Sequence, residues 1–182
     1  RSFHFPGRSA VYARRAMCAT SHPLATQAAV EMLRSGGNAV DAAITAAAIL
    51  CVVEHPMTGI GGDCFVLVAP KGGDKVIAYN GAGRAPAAAS VEWFLDRGIG
   101  QISPDSVHSV TVPGAVEAWC RLADDHGKLG IDRLLQPAID LAAKGFPVAS
   151  KVAADWRRNV DRLRADPAAR AILLPKGNAP SA

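Results

Sequence analysis

Residues 35–68 read SGGNAVDAAITAAAILCVVEHPMTGIGGDCFVLV, and the order of signals in that stretch decides what the chain builds. Gly36 and Gly37 follow a helical run from Leu24 to Arg34, where residues free to take positive φ let a helix end. Asn38 then stands as the N-cap of a second helix. Asp41, three residues on, can bond back to the cap amide and face the positive end of the helix dipole. From Ala39 to Val53 every residue except Asp41 and Thr45 is apolar, so this helix lacks a continuous polar face and is expected to be buried on nearly all sides. It falls short of the roughly 20 apolar residues that a membrane span needs. Pro56 ends the helix, and Thr58-Gly59-Ile60-Gly61-Gly62 turns the chain into Cys64–Val68, a continuous apolar run of the kind a buried strand shows. Glycines in that turn either present amides to an anion or oxyanion, or let the backbone cross a crowded place. No Lys-Ser or Lys-Thr follows them, so the turn is not a phosphate-binding P-loop.

Upstream, residues 1–15 read as an irregular arm and Ala16–Thr20 as a short first strand. Pro23 suits the first turn of a helix flanked by Ser21 or His22, with Ala25, Ala28, Ala29, Met32 and Leu33 on its apolar face. Downstream, Pro70-Lys71-Gly72-Gly73-Asp74 is a turn, and Lys75–Tyr79 is a strand pairing antiparallel with Cys64–Ala69. A glycine-rich loop, Asn80 to Pro86, leaves that hairpin. Ser90 caps a short helix through Asp96, and Ile99–Val107 reads as a loop. Ser109–Pro113 is extended, because the residue before a proline is pushed away from α geometry. Helices are expected from about Gly114 to His126 and around Leu134–Ala142, where Pro137 should kink the helix or start it anew. Val152, Trp156, Val160 and Leu163 recur at helical spacing, opposite a basic face of Arg157, Arg158, Arg162 and Arg164 that reads as solvated surface.

The composition is that of a folded domain, with 49% hydrophobic and 20% charged residues in 182. The net charge of +4 is modest and its cations are interleaved with acids, which argues against nucleic acid as a partner. Cys18, Cys51, Cys64 and Cys120 lack paired metal or redox spacing and read as buried free thiols. His4, His22, His108 and His126 are scattered, so no metal site and no cofactor are expected. The N-terminus shows no apolar signal-peptide core, which reads as cytoplasmic, or as periplasmic if a signal peptide was removed.

Arg84 is the leading candidate for substrate binding, the alternative being an arginine that satisfies nearby backbone carbonyls. It lies between glycine and Ala-Pro in a loop leaving a strand, where the guanidinium fork can be presented to a carboxylate in a fixed direction. Asp41, Glu54 and His55 flank the central helix, and a histidine beside an acid invites an acid–base reading. Without a nucleophile in a recognisable setting they read instead as a cap and helix-end polar groups. Ser109 and Thr111 precede a helix, either to cap it or to touch a ligand.

Five motifs in one order, GGNAVDAA, EHPMTGIGGDCFVLV, GRAP (Gly83–Pro86), SVTVPGAV (Ser109–Val116) and AIDLAAKGFPV (Ala138–Val148), resemble the γ-glutamyltranspeptidase family of N-terminal-nucleophile hydrolases. The resemblance runs from about Met17 to the C-terminal end and covers the first portion of that family's large subunit. It implies an α+β fold, a helix-rich segment of an αββα sandwich, read here as a single domain segment over 1–182. It also implies a precursor that cuts itself, and a small-subunit partner whose new N-terminal threonine is the nucleophile, its own α-amine serving as base. No catalytic residue is therefore placed in this chain. The implied substrate is a small-molecule amide, a γ-glutamyl compound or a related acyl amide. Typical members grip the substrate's α-carboxylate with the arginine that opens an Arg-Glu-x-Ala-Pro motif. With Ala-Pro on Ala85-Pro86, that position is Ala82. Either Arg84 takes over two residues later, or the substrate lacks that carboxylate, as for acylase- or amidohydrolase-like members. A non-catalytic binding or structural domain is the reading from outside enzymes.

Overall fold

The computed structural model describes residues 10–70 and 73–181. The first nine residues of the expected arm, His4 among them, and the Lys71-Gly72 part of the expected turn lie outside the described residues. The elements in chain order are α1 (Pro23–Arg34), α2 (Ala39–Val53), β1 (Cys64–Val68), β2 (Ile77–Gly81), α3 (Val91–Leu95), α4 (Ala115–His126), α5 (Ile131–Lys144), α6 (Ser150–Arg158), α7 (Val160–Ala165) and α8 (Pro167–Leu173). The chain is α+β, as its signals require.

At the start of α2, Asn38 Oδ1 accepts from the amides of Val40 and Asp41, and Asp41 Oδ2 accepts from the Asn38 amide at 2.7 Å, a complete capping box. The helix then runs through the middle of the core. Its Ile44, Ile49 and Val53 meet Ala25, Ala29 and Met32 of α1, Trp119 and Leu122 of α4, and Leu134 and Ala138 of α5. Thr45 is fully buried, and its hydroxyl donates to the Leu134 carbonyl at 3.0 Å, so no polar group of that face is stranded.

Burial of α2 is less complete than its composition suggests. Ala39 and Ala43 are exposed and, with Val40, Ala47 and the β1 backbone, border an open apolar cleft of about 430 Å³. β1 likewise departs from a strand buried on both faces. Cys64, Val66 and Val68 pack inward, while Phe65 and Leu67 are 69% and 76% exposed. Continuous apolar sequence marks what a strand can bury, and within the described residues only one side of this sheet has anything to bury against.

β1 and β2 pair antiparallel, with Val68 opposite Ile77, Val66 opposite Tyr79 and Cys64 opposite Gly81. The second strand therefore lies two residues later than Lys75–Tyr79. The shift of two keeps Ile77 and Tyr79 on the face that packs inward with Val68 and Val66, and leaves Lys75 and Val76 in the exposed connection. Ala16–Thr20 forms no strand. Among the described residues no third strand pairs with it, and Thr20 bonds locally to the His22 carbonyl and the Thr26 hydroxyl. His22, not Ser21, caps α1 through Nδ1, while Ser21 donates to the carboxylate of Glu54.

Helix α5 continues through Pro137, which has no N–H to give the Arg133 carbonyl. The expected helix over 152–163 breaks at Asn159, whose side chain donates to the Asp155 carbonyl at 2.8 Å and competes with the helical ladder. The basic face is solvated surface, with Arg157, Arg158, Arg162 and Arg164 all exposed, and three of them form ion pairs there. Asp155, 8% exposed, takes both Lys151 and Arg158, Arg162 pairs with Asp105, and Arg164 with Asp161.

At the C-terminal end of α2 the ring of His55 meets Trp156 edge-on, with centroids 4.1 Å apart. Burial there pushes the His55 pKa down. A lowered folded-state value means that the unfolded chain binds more protons as pH falls below about 6.5, so stability present above that pH is lost on acidification. The His55→Gln variant is expected to show a flatter dependence of melting temperature on pH between about 6.5 and 5 than the parent. Scanning calorimetry across that window checks it, and identical slopes would remove His55 as a source.

Candidate functional site

The candidate site forms where three backbone segments cross: the turn after α2, the loop leaving β2, and the extended run into α4. Their approach is set by glycines. A Cβ on Gly83 would overlap the carbonyl oxygen of Val112, and one on Gly114 would overlap that of Gly81. A Cβ on Gly81 would lie 2.7 Å from the Cβ of Ala118 and 2.8 Å from the Cys64 carbonyl oxygen. Any side chain at these positions would push the loop off α4.

Hydrogen bonds lock the crossing. The Gly62 carbonyl accepts from the amides of Gly114 and Ala115 at 3.2 and 3.0 Å. It thereby supplies the cap that no side chain gives α4. Asp63 Oδ1 accepts from the Gly83 amide at 3.0 Å, and Asn80 Oδ1 from that of Ala82 at 3.0 Å. The Val112 amide donates to the Arg84 carbonyl, also at 3.0 Å. Arg84 is exposed, on a backbone fixed on both sides, and makes no ion pair among the described residues.

The other candidates divide. Asp41 is completely buried and accepts from the amides of Lys128 and Leu129 as well as Asn38, so it ties α2 to the α4–α5 connection. Glu54 is held by Ser21 and His55 by Trp156, and neither bonds to the Arg84 loop among the described residues. The Ser109 hydroxyl donates to the carbonyls of Ser106 and Pro104, closing a turn; it does not cap α4. Thr111 Oγ1 lies beside Gly83. Reasoning from sequence missed Asp63 and the Gly62 carbonyl. The one local hint was an acid directly after the glycines, at the entry to a strand. Cys51 and Cys64 are free thiols, half-buried, and burial raises both pKa values. Among the described residues, no three His, Cys, Asp or Glu side chains gather as metal ligands, and no helix is long and apolar enough to cross a membrane.

The family model described as gamma-glutamyltranspeptidase matches residues 25–182. The chain belongs to the γ-glutamyltranspeptidase family. Among its relatives, the glutathione hydrolase-like YwrD proenzyme of Bacillus subtilis is 36% identical over 171 residues, which are 93% of this chain and 32% of that protein. The chain spans about a third of the length of the curated relatives it matches. The crystal structure of Helicobacter pylori γ-glutamyltranspeptidase superposes with a TM-score of 0.87 at 26% identity, covering 95% of this chain and 50% of that one. Cephalosporin acylase from Bacillus halodurans superposes with a TM-score of 0.83 at 40% identity, covering 96% and 35%. The α+β arrangement of this γ-glutamyltranspeptidase-family chain is therefore a helix-rich segment of the N-terminal-nucleophile hydrolase fold.

Proposed function

We propose that this chain is the first part of the large subunit of an enzyme that cleaves or transfers an acyl group from an amide, and that Arg84 holds a carboxylate on the acyl side. The nucleophile would be the N-terminal threonine of a small subunit cut from the same precursor. Its hydroxyl oxygen attacks the acyl carbonyl, the carbon–nitrogen bond breaks, and the hydroxyl proton passes through the α-amine to the departing amine. Water or a second amine then releases the acyl group.

The observation that carries the reading for this chain is the clamped loop. An arginine on a backbone bonded before and after it has the direction of its Cα–Cβ bond set before any ligand arrives, which removes the backbone's share of the cost of gripping one. The exposed Phe65 and Leu67 and the open cleft beside β1 support a further subunit over that face, because a monomer gains nothing by leaving such a patch in water. They also weigh against a stand-alone binding domain.

A second reading, an acylase for a non-glutamyl group, is favoured by Ala82 at the position where the family's usual arginine is expected and by the 40% identity to the cephalosporin acylase. Turnover of γ-glutamyl-p-nitroanilide against glutaryl-p-nitroanilide separates the two, in a sample whose small subunit is identified by intact mass and N-terminal sequencing. With the preferred carboxylate substrate, Arg84→Ala is expected to raise KM about ten- to a hundredfold, as for loss of a charged hydrogen bond. An unchanged KM would remove Arg84 from the role.

A further inference from the structure

We infer that Asp63 is the positioning residue for Arg84: its carboxylate, by holding the Gly83 amide, sets the direction in which the guanidinium leaves the loop. The inference rests on the reading of Arg84 given above and adds the residue on which its geometry depends.

Gly83 imposes the need. Its close approach to Val112 rules out a side chain, so the residue before Arg84 is the one with the widest choice of backbone angles. Arg84 is exposed and, among the described residues, its side chain makes no ion pair that would orient it. The peptide groups that bracket Gly83-Arg84 must do so. The one after Arg84 is held by main chain, the Val112 amide on the Arg84 carbonyl. The one entering Gly83, between Ala82 and Gly83, is held at 3.0 Å by a side chain, Asp63 Oδ1 on the Gly83 amide, which leaves only the Gly83–Arg84 peptide between two fixed points.

Asp63 is itself well anchored. It lies between Gly62, whose carbonyl is fixed on the first amides of α4, and Cys64, the first residue of β1. Its backbone is thus registered to both the sheet and the helix, and its carboxylate transfers that registration across 20 residues of sequence to the Arg84 loop. Among the described residues Asp63 makes no ion pair, so the amide is the partner its charge has. An ionised acceptor makes a stronger bond to an amide than a neutral one does.

The test uses the processed two-subunit enzyme and paired anilide substrates, one with and one without a carboxylate on the acyl group. Asp63→Ala should raise KM for the carboxylate substrate about tenfold. Its kcat should stay within about twofold, since binding and not chemistry is disturbed. Asp63→Asn keeps an oxygen at the same place and should recover most of the loss. The double variant with Arg84→Ala should be no worse than Arg84→Ala alone, because the two residues act as one unit. Equal loss on both substrates, or a double variant in which the losses multiply, would show a merely structural role and overturn the inference. So would an unchanged KM in Asp63→Ala beside a raised KM in Arg84→Ala, which leaves the role of Arg84 standing. An unchanged KM in Arg84→Ala itself would end both.

Discussion

Replacing Asp41 with alanine is expected to destabilise the chain by about 3 to 5 kcal/mol, more than any other single polar change considered. The carboxylate is completely buried at the start of α2. Its oxygens accept from the amide of Asn38 at 2.7 Å, of Lys128 at 3.0 and 3.1 Å, and of Leu129 at 3.2 Å. Alanine leaves all three donors without a partner in a place where water does not replace the oxygens, and it also removes the favourable charge at the helix N-terminus. The damage should spread, because the Lys128–Leu129 segment sets where α5 begins to pack on α2. Asp41→Asn is the informative companion. It keeps one acceptor oxygen but turns an NH2 group toward backbone amides, so it should fall between the parent and alanine. Urea unfolding of the three proteins checks the order. A midpoint for Asp41→Ala equal to that of the parent would mean that the cap and the tie to Lys128 contribute nothing.

Gly83→Ala is expected to be the most damaging change near the candidate site. The new methyl group meets the Val112 carbonyl oxygen, which belongs to the backbone and has no rotamer to escape through. The loop can accept it only by moving away, and moving away breaks both the Gly83–Asp63 and the Val112–Arg84 bonds. The combined cost to stability is about 2 to 4 kcal/mol, from strain plus two lost hydrogen bonds. Arg84 should lose its aim in the same step. KM for a carboxylate-bearing anilide should therefore rise at least as far as in Arg84→Ala, while a substrate without the carboxylate is less affected. Thermal melting and the paired kinetics read the two effects separately. A variant that melts like the parent and keeps its KM would show that the crossing has room that the geometry denies.

Both changes act at positions whose importance is only half visible along the chain. For Asp41 the visible half is the spacing to Asn38, three residues apart at a glycine-marked helix start, and the capping box forms there as that spacing requires. The other half, Lys128 and Leu129, lies 87 and 88 residues away, and no local pattern marks two backbone amides as partners of one carboxylate. At the candidate site, Arg84 stood out because glycine and Ala-Pro flank it. Asp63 did not, since an exposed acid beside a turn is ordinary until the turn is seen against the loop it holds. The same contrast explains the errors. The hairpin and the inward face of its strands were legible, but the ends of β2 were not, because a shift of two residues leaves the same side chains facing the core. The Ala16–Thr20 strand was a matter of propensity, and propensity yields where no neighbouring strand supplies the ladder.

By itself the sequence determined the local and the periodic: the bounds of α2 and its cap, the glycine turn into an apolar strand, the helices α4 and α5, and an ordered set of motifs that places the chain in its family. These rest on interactions within a few residues, where spacing alone determines geometry. The tertiary structure decided which groups cross: Gly62 onto α4, Asp63 onto Gly83, Val112 onto Arg84, and a sheet covered on one face with Phe65 and Leu67 turned outward. Those contacts join residues brought together by burying the core, so they follow from packing in three dimensions and leave no regular spacing in the chain.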